Sequence, residues 1–295
     1  GRGPSGHTHL GHLIPWMFTK WLQEKFDAKL LFQITDDEKF LFKEQLSLEA
    51  VKKIAYENIL DIIAVGFDPK KTKIFLDTEY SKTLYPQAVR VAKHITFSTT
   101  KAVFGFENES NVGQIFFTSV QAVPAFLESV FQGKNVPCLI PLGVDQDPHF
   151  RVARDVLPKL GYYKPAVLHS KLIPSLIGEG KMSASDPNST IYTTDSPEAI
   201  ERKIKNAFTG QQATAELQRK LGGNPDVCSI CQYNYFFFEQ DDKKVKEIFE
   251  AEKSGKILAG EHKKDLVERA IKFIEEHQKK RERAKDQVDK FILRD

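Results

Sequence analysis

Short apolar segments alternate with longer amphipathic segments through residues 1–170, and this order constrains the fold more than any other feature of the sequence. The predicted strands are 29–35, 73–76, 136–142 and 165–169, and the predicted helices are 14–26, 48–65, 86–94, 121–131 and 147–160. Strands that alternate with helices of this length indicate an α/β fold with a doubly wound, Rossmann-like parallel sheet. Ligands bind at the carboxyl ends of the strands in such a sheet, so polar residues at those ends are candidate site residues.

The pattern changes after about residue 200, where helical periodicity replaces the alternation. Val267, Ala270, Ile271 and Ile274 recur at the spacing of one helix face. We therefore expect a Rossmann-like domain over residues 1–200, with an insertion at about 97–135, and a helical domain over residues 201–295.

Cysteine content and hydropathy limit the class of protein. Three cysteines give no disulfide framework, and the pair Cys228 and Cys231 has no second pair and no histidine close by in the sequence. We interpret them as structural thiols and predict no protein-held metal. No segment has the length and apolarity of a membrane span or a signal peptide, so a cytoplasmic protein without membrane contact is expected. The sequence begins inside a motif, and we expect residues to precede Gly1.

A glycine-rich stretch, residues 1–6, leads into His9-Leu10-Gly11-His12 and then into an apolar helix. Glycine lets the backbone approach a nucleotide closely, and a helix N-terminus favours phosphate. His12 could donate to an α-phosphate oxygen, and Gly11 would leave room for a purine. The pattern GxxxxGK[ST] does not occur here, which excludes a P-loop. Taken alone, the segment could also be a turn with two incidental histidines.

Residues 178–187 predict a basic, hydroxyl-rich loop with the sequence GEGKMSASDP. Lys181 carries a point charge on a flexible stem, which suits a triphosphate whose charge shifts during reaction. Ser183 and Ser185 offer hydroxyl donors. A serine-rich surface turn is the alternative for this segment alone. The two segments together indicate ATP-dependent activation of a carboxylic acid.

The two segments resemble the HIGH and KMSKS signatures of class I aminoacyl-tRNA synthetases. Residues 1–5, 35–39, 145–148 and 181–189 are similar to the corresponding parts of the tryptophanyl-tRNA synthetase family of eukaryotes and archaea. The similarity extends over essentially the whole chain, including residues 222–224 and the C-terminal helices. It implies an enzyme that activates L-tryptophan with ATP and Mg²⁺ and transfers it to the 3′ end of tRNA(Trp).

The resemblance also implies roles for individual residues, a homodimer, and an anticodon-binding role for residues 201–295. The catalytic residues would be His9, His12, Lys181 and Ser183. The ATP-binding residues would be Arg2, Gly3, Gly11, Lys39, Asp145, Met182 and Ser185. The tryptophan-binding residues would be Gln33, Thr35, Glu38, Gln121 and Gln146. A tyrosine expected upstream of Gly1 would contact the indole.

The residue types agree with these roles. Gln33 is the polar residue of an apolar strand, and an indole N–H, which can only donate, needs an acceptor of this kind. Glu38 could offset an ammonium charge, and Asp145 after a strand suits a ribose hydroxyl. Helix capping is the structural alternative for Thr35.

Three other functions stay open on the sequence alone. A tyrosyl-tRNA synthetase would share the fold and both signatures, but the Tyr and Asp pair that would hold a phenol is not evident. A non-catalytic, synthetase-derived binding protein would not need both signatures. Another HxGH nucleotidyltransferase would not need the helical domain.

The C-terminal third carries the whole net charge of +3, with a basic run at residues 277–285. We interpret this run as a solvated helix face, with phosphate contact as the alternative. Tyr233, Tyr235 and residues 236–238 could stack on bases, but at helical spacing they are better explained as core.

Overall fold

The computed structural model describes residues 1–178, 180, 182 and 186–295. Contacts divide the chain into a first unit, Gly1–Ser5 with Thr19–Lys171 and Asp286–Asp295, and a second unit, Gly6–Phe18 with Leu172–Lys285. The division falls inside helix α1, Leu10–Phe26. It does not follow the boundary at residue 200, and the assignment of a catalytic and an anticodon-binding domain stays a prediction.

The first unit is the α/β part of the chain. Its elements are β1 Leu30–Ile34, α2 Asp36–Phe42, α3 Leu48–Ala64, β2 Thr72–Leu76, α4 Ser81–Ala92, α5 Phe97–Phe104, α6 Val112–Val120, α7 Pro124–Gln132, β3 Leu139–Gly143, α8 Asp147–Val156, β4 Ala166–Ser170 and α14 Val288–Phe291. All four strands match predicted strands to within a few residues. Helices cover most of the connections between them, as the alternation predicts.

The strands pair in parallel, which confirms that part of the prediction. β1 pairs with β2, with Gln33 opposite Phe75, and β3 pairs with β4, with Leu142 opposite His169. Within the described residues these are two separate two-stranded sheets. Arg2 forms a further parallel bridge to Ile34, on the edge of β1 opposite to β2.

The sheet of β1 and β2 is buried because both faces carry apolar side chains. Phe32, Ile34, Ile74 and Phe75 are at most 2% exposed. Helix α3 begins at a Ser47 cap and buries one apolar stripe, and α14 contacts both α3 and β2. Asp36, at the start of α2, accepts a hydrogen bond from the Thr78 backbone N–H (3.1 Å) and so links the ends of β1 and β2.

The strand predicted at 136–142 is present as Leu139–Gly143, but its apolar residues are not all buried. Leu142 and Ile140 of β3 pack on the core cluster that contains Phe150, whereas Leu139 is 45% exposed. Leu168 of β4 is exposed as well. Within the described residues these strands therefore bury one face, and a continuous apolar run did not distinguish one covered face from two.

The predicted start of the first helix is also wrong. Helix α1 begins at Leu10, not at Ile14, so Gly11 and His12 lie in its first turn. Pro15 sits six residues into the helix and misled the assignment. A phosphate at this helix end would meet the positive end of the helix dipole together with the His12 side chain.

The second unit is helical after residue 196. Its helices are α9 Pro197–Lys205, α10 Ala215–Leu221, α11 Ser229–Tyr233, α12 Asp242–Lys253 and α13 Ala259–Ala284, with one π-helical turn at Asn234–Phe238. Tyr233 is buried, and the ring of Phe237 lies 4.6 Å from that of Phe273 on α13. The interpretation of these aromatic residues as core is thus confirmed for Tyr233, and residues 236–238 are partly buried. It is wrong for Tyr235, which is 53% exposed. Among the described residues, no helix is both long enough and apolar enough to cross a membrane.

Candidate active site

The histidine segment is held by backbone hydrogen bonds to residues 191–193, far along the chain. Leu10 N–H donates to the Ile191 carbonyl (3.1 Å), and Thr193 N–H donates to the Thr8 carbonyl (3.0 Å). His9 forms an antiparallel bridge with Tyr192 between these two bonds. Thr8, His9 and Leu10 are at most 5% exposed. The start of α1 is therefore fixed by backbone hydrogen bonds within the second unit.

The geometry of His9 and His12 selects one tautomer of His12. The two imidazole rings are 3.6 Å apart between centroids. His12 Nδ1 accepts a hydrogen bond from the His9 backbone N–H at 3.2 Å. A neutral imidazole carries one proton, so this proton must lie on Nε2. His12 therefore has its donor at Nε2, as a contact to a phosphate oxygen requires.

Gly11 brings the two signature segments together. A Cβ at this position would lie 3.0 Å from the Met182 Sδ and 3.0 Å from His9 Cε1. Met182 is buried, and its backbone N–H donates to the Ile173 carbonyl (3.1 Å). Any larger residue at position 11 would displace Met182 or His9. Lys181, Ser183 and Ser185 lie outside the described residues.

Residues from α2 form a compact polar group in the first unit. Thr35 Oγ1 donates to Glu38 Oε2 (2.6 Å), and Lys39 Nζ lies 2.5 Å from Glu38 Oε1. A Cβ at Gly3 would lie 2.2 Å from Lys39 Cε and 2.8 Å from Glu38 Oε2. The absence of a side chain at Gly3 thus allows the backbone to pass close to the ion pair of Lys39 and Glu38. The helix-cap alternative for Thr35 is not observed, since its side chain makes no cap hydrogen bond.

Gln33 is oriented by a buried carboxyl group. Its Nε2 donates to both oxygens of Asp77, at 3.0 and 2.9 Å, and each residue is 4% exposed. Since the amide nitrogen is committed to Asp77, Oε1 is the atom that points away from it. Within the described residues no donor reaches that oxygen. The side chain therefore presents an acceptor, which is what an indole N–H requires.

Asp77 is buried and interacts with a second acid, the half-buried Asp37. Burial raises the pKa of Asp77 well above its usual range, and the charge of Asp37 raises it further. The pKa of Asp37 is raised by burial too. Both carboxyl groups also line a cavity of about 210 Å³ whose other walls are largely apolar, among them Leu84 and Phe117. None of the predicted tryptophan-binding residues lines that cavity.

Arg2 points into the first unit. Its backbone bridges β1 through Arg2 N–H to the Gln33 carbonyl (2.8 Å), and its Nε donates to Asn58 Oδ1 (3.3 Å). Burial lowers the pKa of Arg2 to about 10, while the charges of Glu38 and Asp61 oppose that change. Nη2 has no hydrogen-bond partner among the described residues. The guanidinium group is thus held beside Glu38 with one nitrogen available.

Two predicted residues, Asp145 and Gln146, follow β3 in a 3₁₀ turn and are exposed.

Gln121, at the end of α6, has a buried Oε1 with no hydrogen-bond partner in the described part of the chain. Such an orphaned acceptor costs free energy unless a donor reaches it. An ammonium group is a donor of the right kind.

His149 was missed by the sequence reasoning. It lies one turn of α8 beyond Gln146, and its ring is 4.7 Å from Phe104 and 6.0 Å from Phe117. Burial lowers the pKa of His149, whereas the charge of Glu38 raises it. Its Nδ1 is buried without a hydrogen-bond partner among the described residues. The sequence signal that could have identified His149 is its position at the end of the Asp-Gln-Asp-Pro-His segment, residues 145–149.

Comparison with known proteins identifies the family. Residues 1–275 match the family model described as tRNA synthetases class I (W and Y). The chain belongs to this family. The synthetase is 52% identical to the tryptophan–tRNA ligase of Pyrobaculum calidifontis over 99% of this chain and 78% of that protein. It is 54% identical to the ligase of Thermococcus sibiricus, over 99% and 74%.

The fold of the synthetase is confirmed in the same way. The tryptophanyl-tRNA synthetase from Giardia lamblia superposes with a TM-score of 0.93 at 39% identity, covering 100% of this chain and 81% of the other. The predicted α/β fold with a helical C-terminal part is therefore correct. The family model includes tyrosine enzymes, whereas these relatives are tryptophan enzymes.

Proposed function

We propose that the synthetase is a tryptophan–tRNA ligase, which forms tryptophanyl-adenylate from L-tryptophan and ATP and then esterifies tRNA(Trp). The orientation of Gln33 carries this proposal. Its Oε1 is an acceptor fixed by two hydrogen bonds from Nε2 to Asp77. An indole offers a donor and no acceptor, whereas a phenol can do both, so a fixed acceptor favours tryptophan.

The α-amino group of tryptophan would be bound by the polar group around Glu38. Thr35 and Lys39 already contact the two oxygens of Glu38, which holds the carboxylate in one position. Gln121 supplies a buried amide oxygen in the same unit. Gln146 is assigned to the substrate by resemblance only.

The ATP phosphates would meet the start of α1 and the loop that contains Met182. His12 Nε2 and His9 donate to the α-phosphate, and Gly11 leaves space beside Met182. Lys181, Ser183 and Ser185 would contact the departing pyrophosphate. Arg2, Gly3, Lys39 and Asp145 are assigned to ATP as well; the guanidinium of Arg2 lies beside Glu38 rather than on a surface.

In the first step the tryptophan carboxylate oxygen attacks the α-phosphorus in line, and the bond to the pyrophosphate oxygen breaks. The protein supplies position and charge stabilisation rather than covalent chemistry. In the second step a ribose hydroxyl at the tRNA 3′ end attacks the tryptophanyl carbonyl and AMP leaves. Residues 201–295 would bind the tRNA.

Mg²⁺ would enter with ATP and offset the charge of the phosphates. Within the described residues, the group able to hold a metal is formed by Cys228, Cys231, Glu252 and His262. Thiolates do not suit Mg²⁺, which prefers oxygen ligands. No step of the reaction is assigned to Mg²⁺. A homodimer and a cytoplasmic location complete the proposal.

Exchange of pyrophosphate into ATP tests the amino-acid substrate directly. We expect exchange with L-tryptophan to exceed that with L-tyrosine by at least about 10³-fold, because a site built for one polar group rejects a ligand that cannot satisfy it. Charging of tRNA(Trp) should follow. Exchange with tyrosine alone would contradict the proposal, and so would exchange that is never followed by charging.

Asp77→Asn tests whether Asp77 positions Gln33. One oxygen that accepts from Gln33 Nε2 becomes an NH₂ group, so one hydrogen bond is lost and the amide can rotate. We expect the KM for tryptophan to rise about 10-fold, the value of one hydrogen bond of about 1–1.5 kcal/mol, while kcat changes less than about 3-fold. Asp68→Asn is the matched control, because Asp68 lies at a half-buried loop position where Oδ1 accepts a hydrogen bond from the Lys70 backbone N–H. A fall in kcat of about 10-fold, with no change in KM, would assign Asp77 a different role.

A further inference from the structure

A buried cluster of metal-binding residue types lies in the second unit and has no part in the proposed reaction. Cys228 precedes α11 and Cys231 lies within it, whereas Glu252 lies in α12 and His262 in the first turn of α13. Their candidate ligand atoms all lie within 4.8 Å of one another. Each of the four residues is at most 1% exposed.

The sequence interpretation of the two cysteines did not include this cluster. That interpretation assigned structural thiols because no histidine or second cysteine pair lies close by in the sequence. The fold supplies the missing partners from two other helices. Cys228 and Cys231 are three residues apart around the start of α11, a spacing that places two side chains on one side of a helix.

The polar atoms of the cluster are incompletely satisfied. Glu252 Oε2 accepts from Gln211 Nε2 at 2.8 Å and lies 3.3 Å from His262 Nδ1. Glu252 Oε1 and His262 Nε2 are buried without a hydrogen-bond partner among the described residues. A buried carboxylate oxygen in this condition costs free energy, and a bound cation would offset that cost.

We propose that Cys228, Cys231, Glu252 and His262 bind one Zn²⁺ ion in a closed structural site. Thiolate, imidazole and carboxylate are all ligands that Zn²⁺ accepts, whereas Mg²⁺ and Ca²⁺ prefer oxygen ligands throughout. In tetrahedral zinc the ligand atoms are separated by about 3.3–3.8 Å, from bond lengths of about 2.0–2.3 Å. The observed spread of up to 4.8 Å needs shifts of about 1 Å.

The site joins three helices, α11, α12 and α13. Close backbone packing surrounds it: a Cβ at Gly222, whose φ is +71°, would lie 1.8 Å from the Lys253 carbonyl oxygen beside Glu252. Since the protein supplies all four ligands, no position remains for a catalytic water. Zinc binding would therefore stabilise the helical part of the chain and would not enter the reaction.

Elemental analysis of the full chain, purified without chelators and desalted, tests the proposal first. We expect about one zinc per chain, and a fall of at least about 10-fold in Cys228→Ser and His262→Gln. Cys138→Ser is the matched cysteine control. His277→Gln is the matched histidine control, because His277 is also buried on α13, about four turns further along. Both controls should keep their zinc.

Cobalt substitution of the unmodified protein keeps the test valid if the variants fail to fold. After zinc is removed with a chelator, Co²⁺ should give the intense visible bands of a tetrahedral ion and a near-ultraviolet thiolate charge-transfer band. The weak spectrum of six-coordinate cobalt would overturn the proposal.

Thermal unfolding measures the structural role. Removal of zinc should lower the Tm by at least about 5 °C, and added zinc should restore it. Four outcomes would overturn the proposal: a wild-type chain free of zinc, zinc retained by both cluster variants, iron with the absorption of an iron–sulfur cluster, or a mass two daltons lower from a Cys228–Cys231 disulfide.

Discussion

Replacement of His12 by alanine should lower the rate of tryptophan-dependent pyrophosphate exchange about 10²–10³-fold, the effect of removing one preorganised donor from a developing negative charge. The reason is the tautomer of His12. The His9 backbone N–H donates to His12 Nδ1, so the ring proton already lies on Nε2 before ATP binds. Tryptophan binding, measured by fluorescence quenching, should change less than about 3-fold, because the indole site lies on other residues.

His7→Ala is the matched control for this experiment. His7 lies on the same segment, is exposed, and contacts the Tyr192 ring at 5.6 Å. It should exchange pyrophosphate at close to the wild-type rate. His12→Asn should recover part of the loss, because its amide N–H₂ can also donate. A His12→Ala variant with an unchanged exchange rate would remove this residue from the proposed mechanism.

Replacement of Gln33 by leucine should lower kcat/KM for tryptophan about 10- to 100-fold, because the indole N–H would then be buried without an acceptor, at a cost of about 1–3 kcal/mol. The loss should disappear for the analogue in which sulfur replaces the indole N–H, β-(3-benzothienyl)-alanine. That analogue has no donor, so the wild type should discriminate against it and the variant should not.

Gln114→Leu is the control for Gln33→Leu. Gln114 Nε2 donates to the Leu41 carbonyl (3.0 Å), so this variant also removes a partly buried amide from the same unit. It should retain the discrimination between tryptophan and the analogue. Equal losses for both substrates in Gln33→Leu would mean that Gln33 supports the fold and does not read the indole.

The sequence predicted the positions of the strands along the chain and their parallel pairing well, because strands that alternate with helices are typical of a parallel sheet. It predicted burial poorly. The run at 136–142 is apolar along its whole length, yet Leu139 is exposed and Leu142 is buried. Which face of a strand is covered depends on elements distant in the sequence, and a single strand pattern does not contain that information.

The site residues show the same difference between what local sequence predicts and what depends on tertiary contacts. His12 and Met182 lie in short signatures, and the contact of Gly11 with Met182 agrees with that reading. Asp77 and His149 were missed because each acts through tertiary contacts: Asp77 through Gln33, and His149 through its burial near Glu38. The cluster around Cys228 was missed for the same reason, since its other ligands come from separate helices.

The backbone pairing of the histidine segment sets a delay during protein synthesis. Thr193 donates to the Thr8 carbonyl from 185 residues further along the chain. At about 5–20 residues per second, a ribosome needs about 10–40 s to make the intervening chain. Until then the Thr8 carbonyl and the Leu10 N–H lack their native hydrogen-bond partners, Thr193 and Ile191. The residues that we propose to bind ATP are thus made early and folded late, and nascent chains released before Thr193 should be substrates for chaperones and proteases.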